Sequence, residues 1–190
     1  MGGTETWRLF IALPIEVSPP LLAQLKALAK LGRSVRPIRV EQVHLTLKFL
    51  GEVDIVRIPS IKTVLDDIGT TRTSFAWSIR GLGAFPNVAR PRVVWAGVEP
   101  QEPAIALVNE IDRRLGPLGF PKESRPYHPH VTLARVEGRP LDELHQILHS
   151  QGAQDYSRQQ ATSLVLYRSL LKSSGATHQK IHEVSLTGHD

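Results

Sequence analysis

His130-Val131-Thr132-Leu133 repeats, in type and spacing, a stretch met earlier in the chain, His44-Leu45-Thr46-Leu47, at an offset of 86 residues. In each copy a histidine and a threonine stand two apart, with apolar residues between and after them. Positions i and i+2 of a β-strand share a face, so imidazole and hydroxyl project together while Leu45, Leu47, Val131 and Leu133 point the other way into a core. One such tetrapeptide carries little information, because half-buried strands often hold a stray His or Thr. Two at matching places in a repeat describe a site with two equivalent arms.

The repeat is visible without the histidines. Arg8-Leu9-Phe10-Ile11-Ala12 recurs in outline as Arg92-Val93-Val94-Trp95-Ala96. An amphipathic helix, an irregular basic stretch, the His-x-Thr-Leu strand and a second helix follow each copy. Strands are expected at 75–85 and again about one repeat later at 161–171. Trp7, Leu9, Ile11 and Leu13 form an apolar strand face, which leaves Arg8, Phe10 and Ala12 on the opposite one. Ser18-Pro19-Pro20 is an N-cap with proline at the first helical position. Leu21, Leu25, Leu28 and Leu31 continue that helix to Gly32. Ile61, Val64, Leu65 and Ile68 mark a second helix, expected to end at Gly69. Helices are further expected over 104–115 and on Leu141, Leu144 and Leu148. The stretch 152–160 reads as polar loop, and two strands near 162–171 and 181–186 close the chain. Strands and helices mix without regular alternation, which predicts an α+β fold. The expected form is bilobal and duplicated, with two mainly antiparallel sheets, flanking helices and a central cleft carrying both His-x-Thr strands. Residues 1–190 are read as one such domain, with 1–6 a flexible leader.

With 190 residues and 41% hydrophobic content the chain can bury a core. It has no cysteine, which removes disulfides and thiolate metal sites. No apolar run approaches the ~20 residues of a membrane span, and no signal-peptide layout opens the chain; a cytoplasmic protein without membrane contact is expected. The net charge of +5 favours an anionic partner. Arg33, Arg36 and Arg39 precede the first motif, Lys122 and Arg125 the second, and Arg90 and Arg92 lie between the halves.

Two histidines near their unperturbed pKa of ~6.5 can serve as base and acid. Displacement at phosphorus places nucleophile and leaving group on opposite sides, so a base on one side and an acid on the other suit phosphoester cleavage. Thr46 and Thr132 can donate hydrogen bonds to the equatorial oxygens. Lys48 continues the face of His44 and Thr46. Arg125 and Tyr127, on the loop leading to His130, are candidates for substrate contact. The competing readings are core histidines or a metal site built on His128 and His130, His145 and His149, or His178 and His182. No familiar metal motif completes any of these pairs, and neither a metal nor a cofactor is expected.

Four stretches then carry a resemblance: His44-Leu45-Thr46-Leu47-Lys48-Phe49-Leu50-Gly51-Glu52-Val53, Gly81-Leu82-Gly83-Ala84-Phe85-Pro86, Arg92-Val93-Val94-Trp95-Ala96-Gly97 and Pro129-His130-Val131-Thr132-Leu133-Ala134-Arg135. Together, in this order, they resemble the bacterial and archaeal RNA 2′,3′-cyclic phosphodiesterases, historically called 2′–5′ RNA ligases, of the two-histidine phosphoesterase superfamily. The resemblance implies metal-independent opening of a 2′,3′-cyclic phosphate end of RNA to a 2′-phosphate, with RNA or nucleotides as partners and no protein partner. It makes His44 the general acid, His130 the general base, and Thr46 and Thr132 the holders of the phosphate oxygens. It sets Arg135 near the phosphate and Phe10 near the base. Arg135, five residues after His130, has the wrong strand parity for this unless a bulge re-aims it. Thr177-His178-Gln179 departs from the family, which often has an aromatic there. Alternatives are a phosphodiesterase acting on 2′–5′ linkages or small cyclic nucleotides, whose reversal is 2′–5′ ligation, and a non-catalytic RNA-end binding module.

Overall fold

The computed structural model describes residues 5–138, 142–172 and 175–187. Most of the expected leader lies outside them, as does Leu141, while Thr6 already begins the first strand. In chain order the elements are β1 (Thr6–Pro14), α1 (Pro19–Ala29), β2 (Val35–Pro37), β3 (His44–Asp54), α2 (Ile58–Thr71), β4 (Phe75–Phe85) and β5 (Val93–Glu99). There follow α3 (Glu102–Leu115), β6 (His130–Val136), α4 (Asp142–Ser150), β7 (Asp155–Ala161), β8 (Ser163–Lys172) and β9 (Gly175–Ser185). The fold is α+β and every pairing between these strands is antiparallel.

The expectation of two sheets is corrected. One nine-stranded sheet runs β7-β4-β5-β6-β3-β1-β8-β9, with β2 beside β6. Its two arms meet at the residue pair Leu45 and Val131, on β3 and β6. Both side chains are 0% exposed, so the join is made in the core, where an unpaired strand edge would leave backbone groups unsatisfied. Outward from this join the arms read β6-β5-β4-β7 and β3-β1-β8-β9. Thus β4, from the first half of the chain, lies beside β5, and β8, from the second half, lies beside β1.

Local sequence explains most elements. Ser18 caps α1 by accepting the Leu21 N–H at 3.3 Å. Leu21, Leu25 and Leu28 then join Leu9, Ile11 and Leu13 of β1 in the core. Gly69 does not end the second helix: α2 continues to Thr71. A Cβ at Gly69 would stand 2.8 Å from the Ser185 carbonyl, so the glycine permits close approach of β9. The stretch 152–160 is not all loop, because β7 occupies most of it. This edge strand pairs only with β4 and buries only Tyr156 and Ala161, which leaves little apolar alternation in its sequence. Among the described residues no helix is long and apolar enough to cross a membrane.

Candidate active site

The join between the arms also assembles the paired motifs. Continuing the antiparallel register one residue either way from Leu45 and Val131 sets His44 across from Thr132, and Thr46 across from His130. The two histidines occupy one diagonal of this rectangle and the two threonines the other. Such diagonal neighbours lie about 7–8 Å apart at the backbone. Since Leu45 and Val131 face the core, all four polar side chains project from the opposite face, where each is half-buried.

Both imidazoles are held in the same way. His44 Nδ1 lies 2.7 Å from the Gln42 carbonyl oxygen, and His130 Nδ1 lies 2.7 Å from the His128 carbonyl oxygen. A carbonyl only accepts, so Nδ1 carries the proton and the Nε2 lone pair is left for a ligand. His130 rests edge-on against Phe85 at 4.9 Å, with Trp95 behind at 6.3 Å. The Trp95 indole lies flush against β4 because residue 83 is glycine, where a Cβ would sit 2.2 Å from the ring. His44 lies 4.9 Å from Phe10, which stacks on Tyr167 at 5.2 Å with an interplanar angle of 17°. Phe10 therefore stands beside the motif histidine, but it is 2% exposed, so its expected contact with the base is corrected: it backs His44 and Tyr167 from beneath.

Burial lowers the pKa of His44 to about 4, with His178 adding to the shift and the Gln42 carbonyl opposing it. Burial likewise holds His130 below 6.5, against the pull of the His128 carbonyl. His178 is lowered by burial as well. Burial thus favours the neutral form of both motif imidazoles.

Beyond the motifs, three β-bulges decide which side chains reach this face. Thr46 and Lys48 oppose consecutive residues of β1, leaving Leu47 as an extra residue. Thr132 and Ala134 oppose consecutive residues of β5, leaving Leu133 extra at the equivalent place. Each extra residue reverses the alternation that follows. Arg135 is thereby brought to the exposed side with His130 and Thr132, which resolves its parity conflict. Lys48 is turned inward instead, and its expected substrate contact is corrected. Its ammonium donates to Asp112 on α3 at 2.5 Å and to the Pro121 carbonyl at 2.8 Å, and its side chain is 4% exposed. Phe49 takes the outward place, 59% exposed and 6.0 Å from Phe10.

The third bulge, at Ile181 in β9, separates His178 from His182. His182 bonds Asp66 on α2 at 2.7 Å. His178 faces Phe10 at 4.8 Å and His44 at 5.1 Å. His178, Tyr167 and Phe49 are thus residues of the site that the sequence reading did not assign. The signal for His178 was its place where relatives often carry an aromatic; no comparable signal marked the other two. Tyr127 spends its hydroxyl on the Thr46 carbonyl at 2.7 Å, so it braces a motif strand. Arg125 is exposed on the loop before β6. Among the described residues no three His, Asp or Glu side chains converge as a metal site.

A paired His-x-Thr constellation on one sheet face has relatives. A family model described as the 2'-5' RNA ligase superfamily matches residues 14–172. The chain belongs to this superfamily. It is 36% identical over 166 residues to the RNA 2',3'-cyclic phosphodiesterase of Aeropyrum pernix, covering 86% of this chain and 93% of that one. It is 30% identical over 179 residues to the protein of the same name from Archaeoglobus fulgidus, covering 92% and 97%. Among solved structures, TT0787 of Thermus thermophilus superimposes with a TM-score of 0.80 at 25% identity, covering 96% of this chain and all of that one. The superfamily fold is shared with apo Escherichia coli LigT, at a TM-score of 0.72, 23% identity and coverage of 96% and 99%.

Proposed function

We propose that the protein hydrolyses the 2′,3′-cyclic phosphate end of RNA to a 2′-phosphate by metal-independent general acid–base catalysis. The observation that carries this reading is the Leu45–Val131 join, which turns two Nε2-presenting histidines onto one face at opposite corners of a four-residue patch. The names of the A. pernix and A. fulgidus relatives point to the same substrate.

In the proposed reaction His130 Nε2 takes a proton from water as its oxygen attacks phosphorus. The P–O3′ bond breaks on the far side, and O3′ takes the proton of His44 Nε2. The P–O2′ bond survives, so the product carries a 2′-phosphate and a free 3′-hydroxyl. Thr46 and Thr132, on the other diagonal, donate to the equatorial oxygens, and the Arg135 guanidinium adds positive charge to the same face. The half-buried Tyr167, backed by Phe10, supplies an aromatic surface for the terminal base. The low pKa of His44 fits this role once the substrate is included. A diester anion beside the ring replaces solvation with an opposite charge and raises its pKa, so substrate and proton bind together.

The test is incubation of RNA ending in 2′,3′-cyclic phosphate with the protein in EDTA, followed by identification of the product end. A 2′-phosphate is expected. A 3′-phosphate would reverse the leaving-group assignment, loss of activity in EDTA alone would indicate a metal enzyme, and no opening would leave an RNA-end binding protein. His44→Ala and His130→Ala should each lower turnover by about 10²–10⁴-fold while the RNA still binds.

A further inference from the structure

His178 has no part in the reaction above, yet it is the nearest ionisable group to His44. The rings stand 5.1 Å apart at 75°, the edge of one toward the face of the other. Two imidazolium charges at this separation repel by an amount worth roughly two pKa units at the effective dielectric of a protein surface. A proton on one ring and none on the other is the favourable state, since the edge of a cation then meets a neutral π-face.

The surroundings hold the two rings together but do not neutralise them. Gln42 braces both: its carbonyl accepts from His44 Nδ1, and its amide donates to the Ala176 carbonyl, two residues before His178. Phe10 packs against both rings from β1. From β8 comes Tyr167, 6.2 Å from His44 and 6.3 Å from His178, its phenol pushed up by burial and so uncharged. Lys180 and Glu183, further along β9, bond each other at 2.6 Å, and Ser163 also donates to Glu183. Across the join lie His130 of β6 and His128 on the loop before it. Neither His44 nor His178 has a carboxylate partner among the described residues, unlike His182 with Asp66.

We propose that His178 is a positioning residue for the proton of His44: at the acidic pH where the pair is protonated the two rings take one proton rather than two, and the substrate anion favours its place on His44 Nε2. This rests on the proposed acid role of His44. It also explains why an acid lies in an apolar pocket without a carboxylate: the missing negative charge arrives with the diester, which favours the proton on His44 over His178, 5.1 Å away. His178 then sets the pH range over which His44 can donate.

The experiment compares the unaltered protein with His178→Phe, which keeps an aromatic edge against Phe10, and with His178→Gln, which removes the charge without adding apolar surface. Two readings are taken: the NMR titration of the His44 ring in the free protein, and the pH dependence of kcat/KM on RNA ending in 2′,3′-cyclic phosphate. In the Gln variant the His44 midpoint should rise by about one unit or more. The kcat/KM optimum should move the same way, with its maximum kept within about tenfold. The Phe variant should show the same direction with a smaller rise, because the added apolar surface opposes it. An unmoved His44 midpoint in both variants overturns the proposal, as does a moved midpoint with an unmoved rate profile. A moved midpoint in a protein that opens no cyclic phosphate at all supports the coupling of the two rings and refutes the proposed reaction instead.

Discussion

Removing Lys48 separates a structural role from a substrate-binding one. Its ammonium is bonded to Asp112 and to the Pro121 carbonyl, and the two charged side chains are 4% and 9% exposed. Lys48→Met leaves the Asp112 carboxylate buried without its cation, a change that costs about 3–5 kcal/mol. Folded proteins have about 5–15 kcal/mol in hand, so the loss takes a large share of the stability. It should lower Tm by roughly 10 °C in a chain of this size. Lys48→Met with Asp112→Leu removes both charges together, and replacing a buried pair by apolar side chains is often neutral or stabilising. The double variant should therefore recover most of the lost stability. Urea and thermal unfolding followed by circular dichroism give the stabilities, and kcat/KM on cyclic-phosphate RNA at about 20 °C, below the unfolding range of a typical domain, gives the activity. Near-normal kcat/KM in the folded double variant is expected, because the bulge at Leu47 aims Lys48 away from the site. A loss greater than about tenfold in the folded double variant would refute that reasoning and return Lys48 to the substrate.

Because burial holds His44 at about 4 and His130 below 6.5, the free enzyme has its proposed acid deprotonated at neutral pH. The kcat/KM profile should peak below ~6.5 and fall about tenfold per unit on its alkaline side; a level profile from about pH 6 to 8.5 would remove His44 as the acid. The same depressed pKa makes the unfolded chain bind more protons than the native one between ~6.5 and about 4, so stability should fall as pH falls through this window. His44→Gln should flatten that part of the urea-midpoint curve, and an unchanged slope would contradict the burial argument. Gly83→Ala puts a methyl group where the Trp95 indole lies, at a cost of about 1–3 kcal/mol. The displaced indole should disturb His130 and lower kcat, read by steady-state kinetics beside unfolding; full activity would show that Trp95 does not hold His130. Arg135→Met should lower kcat/KM by roughly 10–100-fold, the worth of one hydrogen bond to a charged group, whereas an unchanged value would make the arginine a bystander.

The sequence by itself determined everything that follows from a two-residue period. His44 with Thr46, and His130 with Thr132, had to share a face because no bulge falls between them, and Leu45 and Val131 had to oppose them because a core needs apolar side chains. The cap at Ser18 and the helix faces were legible for the same reason: each depends on residues within a few positions of one another. The alternation of a single strand put Phe10 on the face of His44, while its burial was a matter of packing. Tertiary structure decided what lay beyond the first bulge. An extra residue in one strand exists only relative to a partner strand, and it is against β1 and β5 that Leu47 and Leu133 become the extra residues. Those two residues exchange Lys48 for Phe49 and turn Arg135 to the same side as His130 and Thr132. The bulge at Ile181 does the same on β9, aiming His178 at His44 and His182 at Asp66. The join of the two arms into one sheet was likewise beyond local reading, since Leu45 meets Val131 from 86 residues away.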